Sequence, residues 1–195
     1  MARGSRTESP CAAGTFCRNG DLFTPVFTPA RFSSFVLKPK NFFGGDEAKL
    51  QDYLKFRDSL TGLKDPTRIS DVIASGLDQY DAVFVPGGHG PMIDLLDDLD
   101  AGTVMRHFHN TSKPTAVLCH GPISLLSALP NSTEVVGALK AGDAAGAQTK
   151  AQGWIYSGYK MTVFSTAEEQ QREPLEIGGK FSSTRTSPCV QRALT

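Results

Sequence analysis

Twice in this chain a short apolar run stops at a glycine-bearing break and gives way to a helical pattern. No other feature limits the fold as strongly. The first unit is QYDAVFVPGGHGPMIDLL and the second is KPTAVLCHGPISLLSA. Ala82–Val85 and Thr115–Leu118 read as short strands buried on both faces. Pro86-Gly87-Gly88 breaks the first run, and Pro91–Leu99 resumes as a helix with Met92, Leu95, Leu96 and Leu99 inward. Gly102–Asn110 continues the helical pattern up to the turn before Lys113. After the second run, Pro122 stands where a first helical residue would be, and Ile123–Ala128 is apolar with good helix formers. Two consecutive strand–turn–helix units predict an α/β fold built on a parallel sheet. The right-handed crossover rule puts both loops on one edge of that sheet, where ligands bind.

Cys119, His120 and Gly121 occupy the second break. A strand turning sharply into a helix leaves the Cys119 side chain at the bend, facing the helix N-terminus. The partial positive charge and unpaired N–H groups there favour thiolate over thiol. The arrangement is that of a nucleophile elbow with Cys in place of Ser. The plainer alternative is a small buried Cys that ends a core strand. Gly87 and Gly88 would face Cys119 across the loop edge. Without Cβ atoms, they let backbone N–H groups approach a substrate and serve as part of an oxyanion hole.

Other segments carry less pattern. In residues 1–40 the phenylalanines follow no sustained period, and Phe32–Leu37 is the one candidate strand. Asp46–Leu60 reads as a helix with Leu50, Tyr53, Leu54 and Leu60 on one face, closed by Gly62. Arg68–Ile73 is either a short strand or a turn of helix. Residues 130–152 read as a polar connection with one poor helix or a surface insertion. Trp154–Ser165 suggests a turn at Ser157-Gly158 and then a strand, Lys160–Phe164. Glu168 and Glu169 follow at the strand exit, either as a solvated helix start or with one of them reaching His120.

Composition removes several classes of function. Lys+Arg and Asp+Glu both number 20, so nothing in the overall charge calls for nucleic acid or an anionic membrane. No apolar run approaches the roughly 20 residues needed to span a bilayer, and the first twenty residues lack an apolar signal core. The four cysteines, Cys11, Cys17, Cys119 and Cys189, form no C-x-x-C pair. Neither a zinc site nor a disulfide framework is expected, and a reducing compartment, cytoplasmic or also nuclear, is the default. His107 and His109 stand two apart, a spacing that splays them on a helix and argues against a paired metal site. Both are expected to be exposed.

The motifs VFVPGGHGPMIDL, AVLCHGP and TVFSTAEE together resemble the ThiJ/PfpI superfamily, also called class I glutamine amidotransferase-like. The nearest branch is that of the heat-shock chaperones and glutathione-independent glyoxalases. The resemblance covers roughly residues 42–179. It implies a flavodoxin-like sandwich, a parallel sheet between helices, incomplete here at both ends. Residues 1–41 would form a poorly patterned N-terminal segment, 42–180 the α/β domain and 181–195 an unpatterned tail. By resemblance, Cys119 is the nucleophile, His120 its partner and Glu169 the acid that orients the histidine. Oxyanion contacts would fall on the backbone of Gly88 and His120. The implied activity is a lyase that converts methylglyoxal to D-lactate, a small 2-oxoaldehyde being its substrate and no cofactor or metal being required. Relatives of this kind imply a homodimer. The family also carries a Glu after its first core strand, whereas residues 1–40 contain only Glu8, with no strand expected before it. Two other functions compete: a stress-response holdase or thiol redox sensor, and a truncated inactive homologue.

Overall fold

The computed structural model describes residues 13–18, 21–27, 44–59, 66–87, 91–163, 165 and 167–168, with backbone alone for the first two stretches and for 93–94. Among the described residues four strands form one sheet in the order β2-β1-β3-β4. β3 (Ala82–Val85) and β4 (Thr115–Val117) run parallel, with Val83 opposite Thr115 and Val85 opposite Val117. This is the pairing that the two strand–turn–helix units predict, and it brings both loops to one edge. Helices flank this small sheet in an incomplete flavodoxin-like α/β arrangement.

The other half of the sheet departs from expectation. β1 (Ala13–Arg18) and β2 (Asp21–Phe27) form an antiparallel hairpin, and β1 pairs antiparallel with β3. The sheet is therefore mixed, with strands where the phenylalanine pattern suggested none. Arg18 pairs with Asp21, so only Asn19-Gly20 joins the two strands, a dipeptide suited to a two-residue hairpin connection. Pro25 lies on β2, the outermost strand, where a missing N–H is tolerated. The candidate strand Phe32–Leu37 lies outside the described residues.

α1 (Glu47–Ser59) occupies the expected segment and starts at Asp46, whose carboxylate accepts a hydrogen bond from the Lys49 N–H at 3.1 Å. Of its expected inward face only Leu50 is buried, while Tyr53 is 41% exposed; Leu60 lies outside the described residues. Of Arg68–Ile73, residues 69–73 are helical, within α2 (Ile69–Ser75), and Arg68 is its extended N-cap. Pro91–Leu95 forms a single π-helical turn, and Met92, Leu95 and Leu96 are buried as expected. Leu99 is instead 69% exposed. The chain breaks before it, and Asp98 caps a new helix, α3 (Leu99–Asn110), so the helical phase is not carried through.

β4 also corrects the reading of Thr115–Leu118. The strand stops at Val117, Ala116 is exposed and Leu118 is 59% exposed. As the last strand in the order of the described sheet, β4 has a strand neighbour on one side only. Residues 130–152 hold two helices rather than one poor one, α4 (Ser132–Lys140) and α5 (Ala144–Lys150). Gly142 at φ 78° ends the first, and the Asp143 carboxylate caps the second by accepting from the Gly146 N–H at 2.8 Å. Their Val135, Val136, Leu139 and Ala147 enter the core.

The turn expected at Ser157-Gly158 is present, but residues 160–163 form no strand, and Phe164 lies outside the described residues. The segment is tied to helices instead. Trp154 donates from Nε1 to the Leu125 carbonyl at 2.9 Å, and the Tyr156 hydroxyl donates to the Met105 carbonyl at 3.0 Å. Burial pushes the Tyr156 hydroxyl up to about 12. His107 and His109 are half-buried rather than exposed. They do splay: His107 Nε2 lies 3.5 Å from an Asp78 carboxylate oxygen, and His109 Nε2 lies 3.3 Å from the Tyr159 hydroxyl.

Among the described residues two apolar clusters form the core, and α3 touches both. Its Ala101 and Met105 pack with Val85, Leu96, Ile123 and Leu126, whereas Val104 and Phe108 pack with Val72, Leu77 and Val83. Among the described residues no helix is long and apolar enough to cross a membrane.

Asp98 links the cap of this bridging helix to pH. Its carboxylate accepts from the Ala101 N–H at 2.7 Å, yet burial, reinforced by Asp100 and Asp97, raises it above its ordinary value of 3.8. A carboxyl with a raised folded pKa contributes stability that is present below 3.8 and is lost as pH rises through the folded value. Asp98→Asn keeps an acceptor and removes the buried charge. Thermal melts should find it at least as stable as wild type at pH 7, with any advantage gone below roughly pH 3. Asp98→Ala loses the cap and should cost about 1 kcal/mol at pH 7.

Candidate active site

β4 ends at Val117 because the chain turns there, and two backbone bonds fix the turn. The Leu118 N–H donates to the Val85 carbonyl at 3.0 Å, and the Gly121 N–H donates to the Leu118 carbonyl at 2.7 Å. Between them Cys119 is held at φ 58°, in the left-handed region, and His120 at φ −87° and ψ 0°. Positive φ at the first central position of a tight turn belongs ordinarily to glycine. A cysteine there is strained by roughly 1–3 kcal/mol. The sharp bend expected from the sequence is thus present, and it carries strain of a kind that concentrates at functional sites.

The following helix, Gly121–Ala128, is a 3₁₀ helix in which every residue is buried. Pro122 stands in its first turn, one place after the helix start at Gly121. Its two serines explain how polar groups survive in this core position. The Ser124 hydroxyl donates to the Gly121 carbonyl at 2.7 Å, and the Ser127 hydroxyl donates to the Ser124 carbonyl at 2.6 Å. Both reach back three residues, the spacing of the 3₁₀ ladder itself. At the far end Arg106 donates to the Ser127 and Ala128 carbonyls at 3.4 and 3.3 Å, where a cation suits the helix dipole. Gly102 lets α3 come close: a Cβ there would collide with the Ser127 carbonyl oxygen.

Cys119 is half-buried and unbridged, and His120 is 2% exposed. Cys119 Sγ lies 3.4 Å from His120 Nδ1, within hydrogen-bonding reach for sulfur. With Nδ1 protonated the ring donates to the sulfur; with Nδ1 bare it accepts the thiol proton. The nucleophile and base candidates named from the sequence are therefore adjacent in space as well as in the chain. Gly87 also meets them, since its α-carbon faces Leu118, Cys119 and His120. Gly88 lies outside the described residues.

Glu169 lies outside the described residues, but its neighbour is informative. Glu168 Oε2 accepts from the Ser165 N–H at 2.7 Å, and the Glu168 N–H donates back to the Ser165 hydroxyl at 3.2 Å. This is a capping box, and the sequence announces it as Ser165-Thr166-Ala167-Glu168. The two Ser165 bonds hold the Glu168 carboxyl below its ordinary value, with a smaller electrostatic contribution from His120. Among the described residues no group of three or more His, Cys, Asp or Glu is placed to hold a metal ion.

A family model described as the DJ-1/PfpI family matches residues 60–169 of this chain. Two proteins of Staphylococcus aureus, from strains JH9 and Newman and both named protein/nucleic acid deglycase HchA, are 34% identical to it over 86 residues. The match covers 43% of this chain and 28% of each relative, so the chain spans less than a third of the length of the curated relatives it matches. The matched family segment holds β3, β4, Gly87, Cys119, His120 and both glutamates.

The strain at Cys119 yields a direct test. Cys119→Gly removes the left-handed penalty, whereas Cys119→Ala keeps it, and both remove the sulfur. In urea titrations Cys119→Gly should be the more stable of the two by about 1 kcal/mol.

Proposed function

Given that the chain belongs to the DJ-1/PfpI family, we propose that it is a cofactor-free enzyme acting on reactive carbonyls, with methylglyoxal as substrate and D-lactate as product. The observation that carries this reading is the strained Cys119 with His120 Nδ1 at 3.4 Å from its sulfur. His120 takes the thiol proton, and the thiolate adds to the aldehyde carbon of the 2-oxoaldehyde. A C–S bond forms, the carbonyl π pair moves to oxygen, and a hemithioacetal results. Backbone N–H groups of the Gly87-Gly88 break and of His120 receive the developing oxyanion.

A base then removes the hydrogen from the former aldehyde carbon, giving an enediol, and a proton returns to the neighbouring carbon. The first carbon has been oxidised and the second reduced, so no external electron acceptor is needed. The resulting thioester is cleaved by water, releasing lactate and restoring the thiol. In this scheme His120 carries the proton, and the acidic pair Glu168-Glu169 supports its charged form.

The name of the Staphylococcus aureus relatives, protein/nucleic acid deglycase, favours a second reading on the same residues. On the hemiaminal that an amine forms with methylglyoxal, a proton delivered to nitrogen lets the C–N bond break and the amine leave, and the thiolate captures the freed aldehyde carbon as the same hemithioacetal. Two substrates separate the readings, free methylglyoxal and methylglyoxal-treated N-acetyl-lysine.

Purified protein should form D-lactate from methylglyoxal without glutathione. Cys119→Ala should abolish this with an unchanged far-UV CD spectrum, and His120→Ala should lower kcat by about 100-fold or more. Full D-lactate formation by Cys119→Ala would contradict the proposal. Suppression of protein aggregation that survives Cys119→Ala, with no lactate formed by the wild type, would point to a holdase instead.

A further inference from the structure

Two glycines of this chain have nearly the same positive φ and differ in what surrounds them. Gly76 has φ +97°, and a Cβ added to it would meet nothing within 4 Å. Gly87 has φ +92°, and a Cβ added to it would collide with the Leu118 carbonyl oxygen. It would also stand 2.8 Å from the Cys119 Cβ and 3.1 Å from the His120 nitrogen. Every one of these neighbours belongs to the bend that carries the sulfur.

Leu118 cannot give way easily. Its N–H is bonded to Val85 and its carbonyl accepts from Gly121, so both of its backbone polar groups are engaged. Gly121 is equally confined, since a Cβ there would lie 2.6 Å from the Val85 carbonyl oxygen. The part of the bend left to move is Cys119–His120, whose φ of 58° at Cys119 is already strained.

We propose that Gly87 is a positioning residue: its lack of a side chain sets where the Cys119 sulfur stands relative to His120. Any larger residue at 87 displaces the bend and breaks the 3.4 Å contact between Sγ and Nδ1. This role is separate from that of backbone N–H donor, and it rests on the reading of Cys119 and His120 as a working pair.

Alkylation of Cys119 by iodoacetamide, followed by mass spectrometry of the peptide that contains it, gives a readout independent of substrate. His120→Ala should change the Cys119 rate at pH 7 several-fold in the wild-type background and equally in Gly76→Ala. In Gly87→Ala the effect of His120→Ala should vanish, because the pair is already separated. Gly76→Ala and Gly87→Ala both carry the left-handed penalty, so their difference isolates the clash. Persistence of the full His120 effect in Gly87→Ala would overturn the proposal. No His120 effect in the wild-type background would instead overturn the pairing on which the proposed function depends. Should Gly87→Ala fail to fold, Gly87→Ala/Cys119→Gly, whose bend is free to yield, should regain the folded far-UV CD spectrum. A double variant that stays unfolded would overturn the proposal.

Discussion

A left-handed cysteine held between two fully bonded neighbours is the constraint around which this structure is arranged. Cys119 at φ 58° would relax if either flank could move, but Leu118 is fastened to the end of β3 and Gly121 is fastened to Leu118. Gly121 cannot slide away, because its α-carbon lies against the Val85 carbonyl. The parallel pairing of β3 and β4 thus does more than build a sheet. It places the last carbonyl of one strand so that the bend after the next has a single course to follow.

Strain of this kind persists only where the surroundings over-determine it. Here the surroundings are the eight buried residues Gly121–Ala128 and what clasps them. α3 approaches through Gly102, Arg106 binds the last carbonyls, and Trp154 binds the Leu125 carbonyl. Burial of Ile123, Leu125 and Leu126 adds a hydrophobic term of about 1.5–3 kcal/mol for each side chain. That is enough to offset the strain at one residue. A rigid helix behind a strained bend keeps the sulfur and the imidazole together before any substrate arrives, so little reorganisation is left for the reaction.

What could be read from the sequence follows from how local the information is. The two strand–turn–helix units were legible because apolar runs, Pro122 and the glycines signal over a few residues. Cys119 and His120 were legible for the same reason. Leu99 leaves the buried face because the Asp98 cap starts a new helix there, and the apolar spacing of Met92–Leu99 does not show that break. The β1–β2 hairpin is signalled by Asn19-Gly20 and not by phenylalanine spacing, which follows no strand period. At 160–163 the β-rich composition misleads: Met161 and Val163 pack against the core without strand pairing, just after a segment that Trp154 and Tyr156 tie to helix carbonyls. The Ser165–Glu168 capping box stood in plain view, four residues long, beside the glutamate that the family likeness selected.

The relatives named for deglycase activity and the glyoxalase chemistry proposed here share one demand, a sulfur that attacks carbonyl carbon near neutral pH. Competition between Cys119 and an unstructured cysteine peptide for limiting iodoacetamide at pH 7 tests that demand without assuming any substrate. Cys119 should be labelled first, and by a clear margin. Labelling of the peptide alone, or of both at the same rate, would contradict the claim that the bend makes this sulfur a nucleophile.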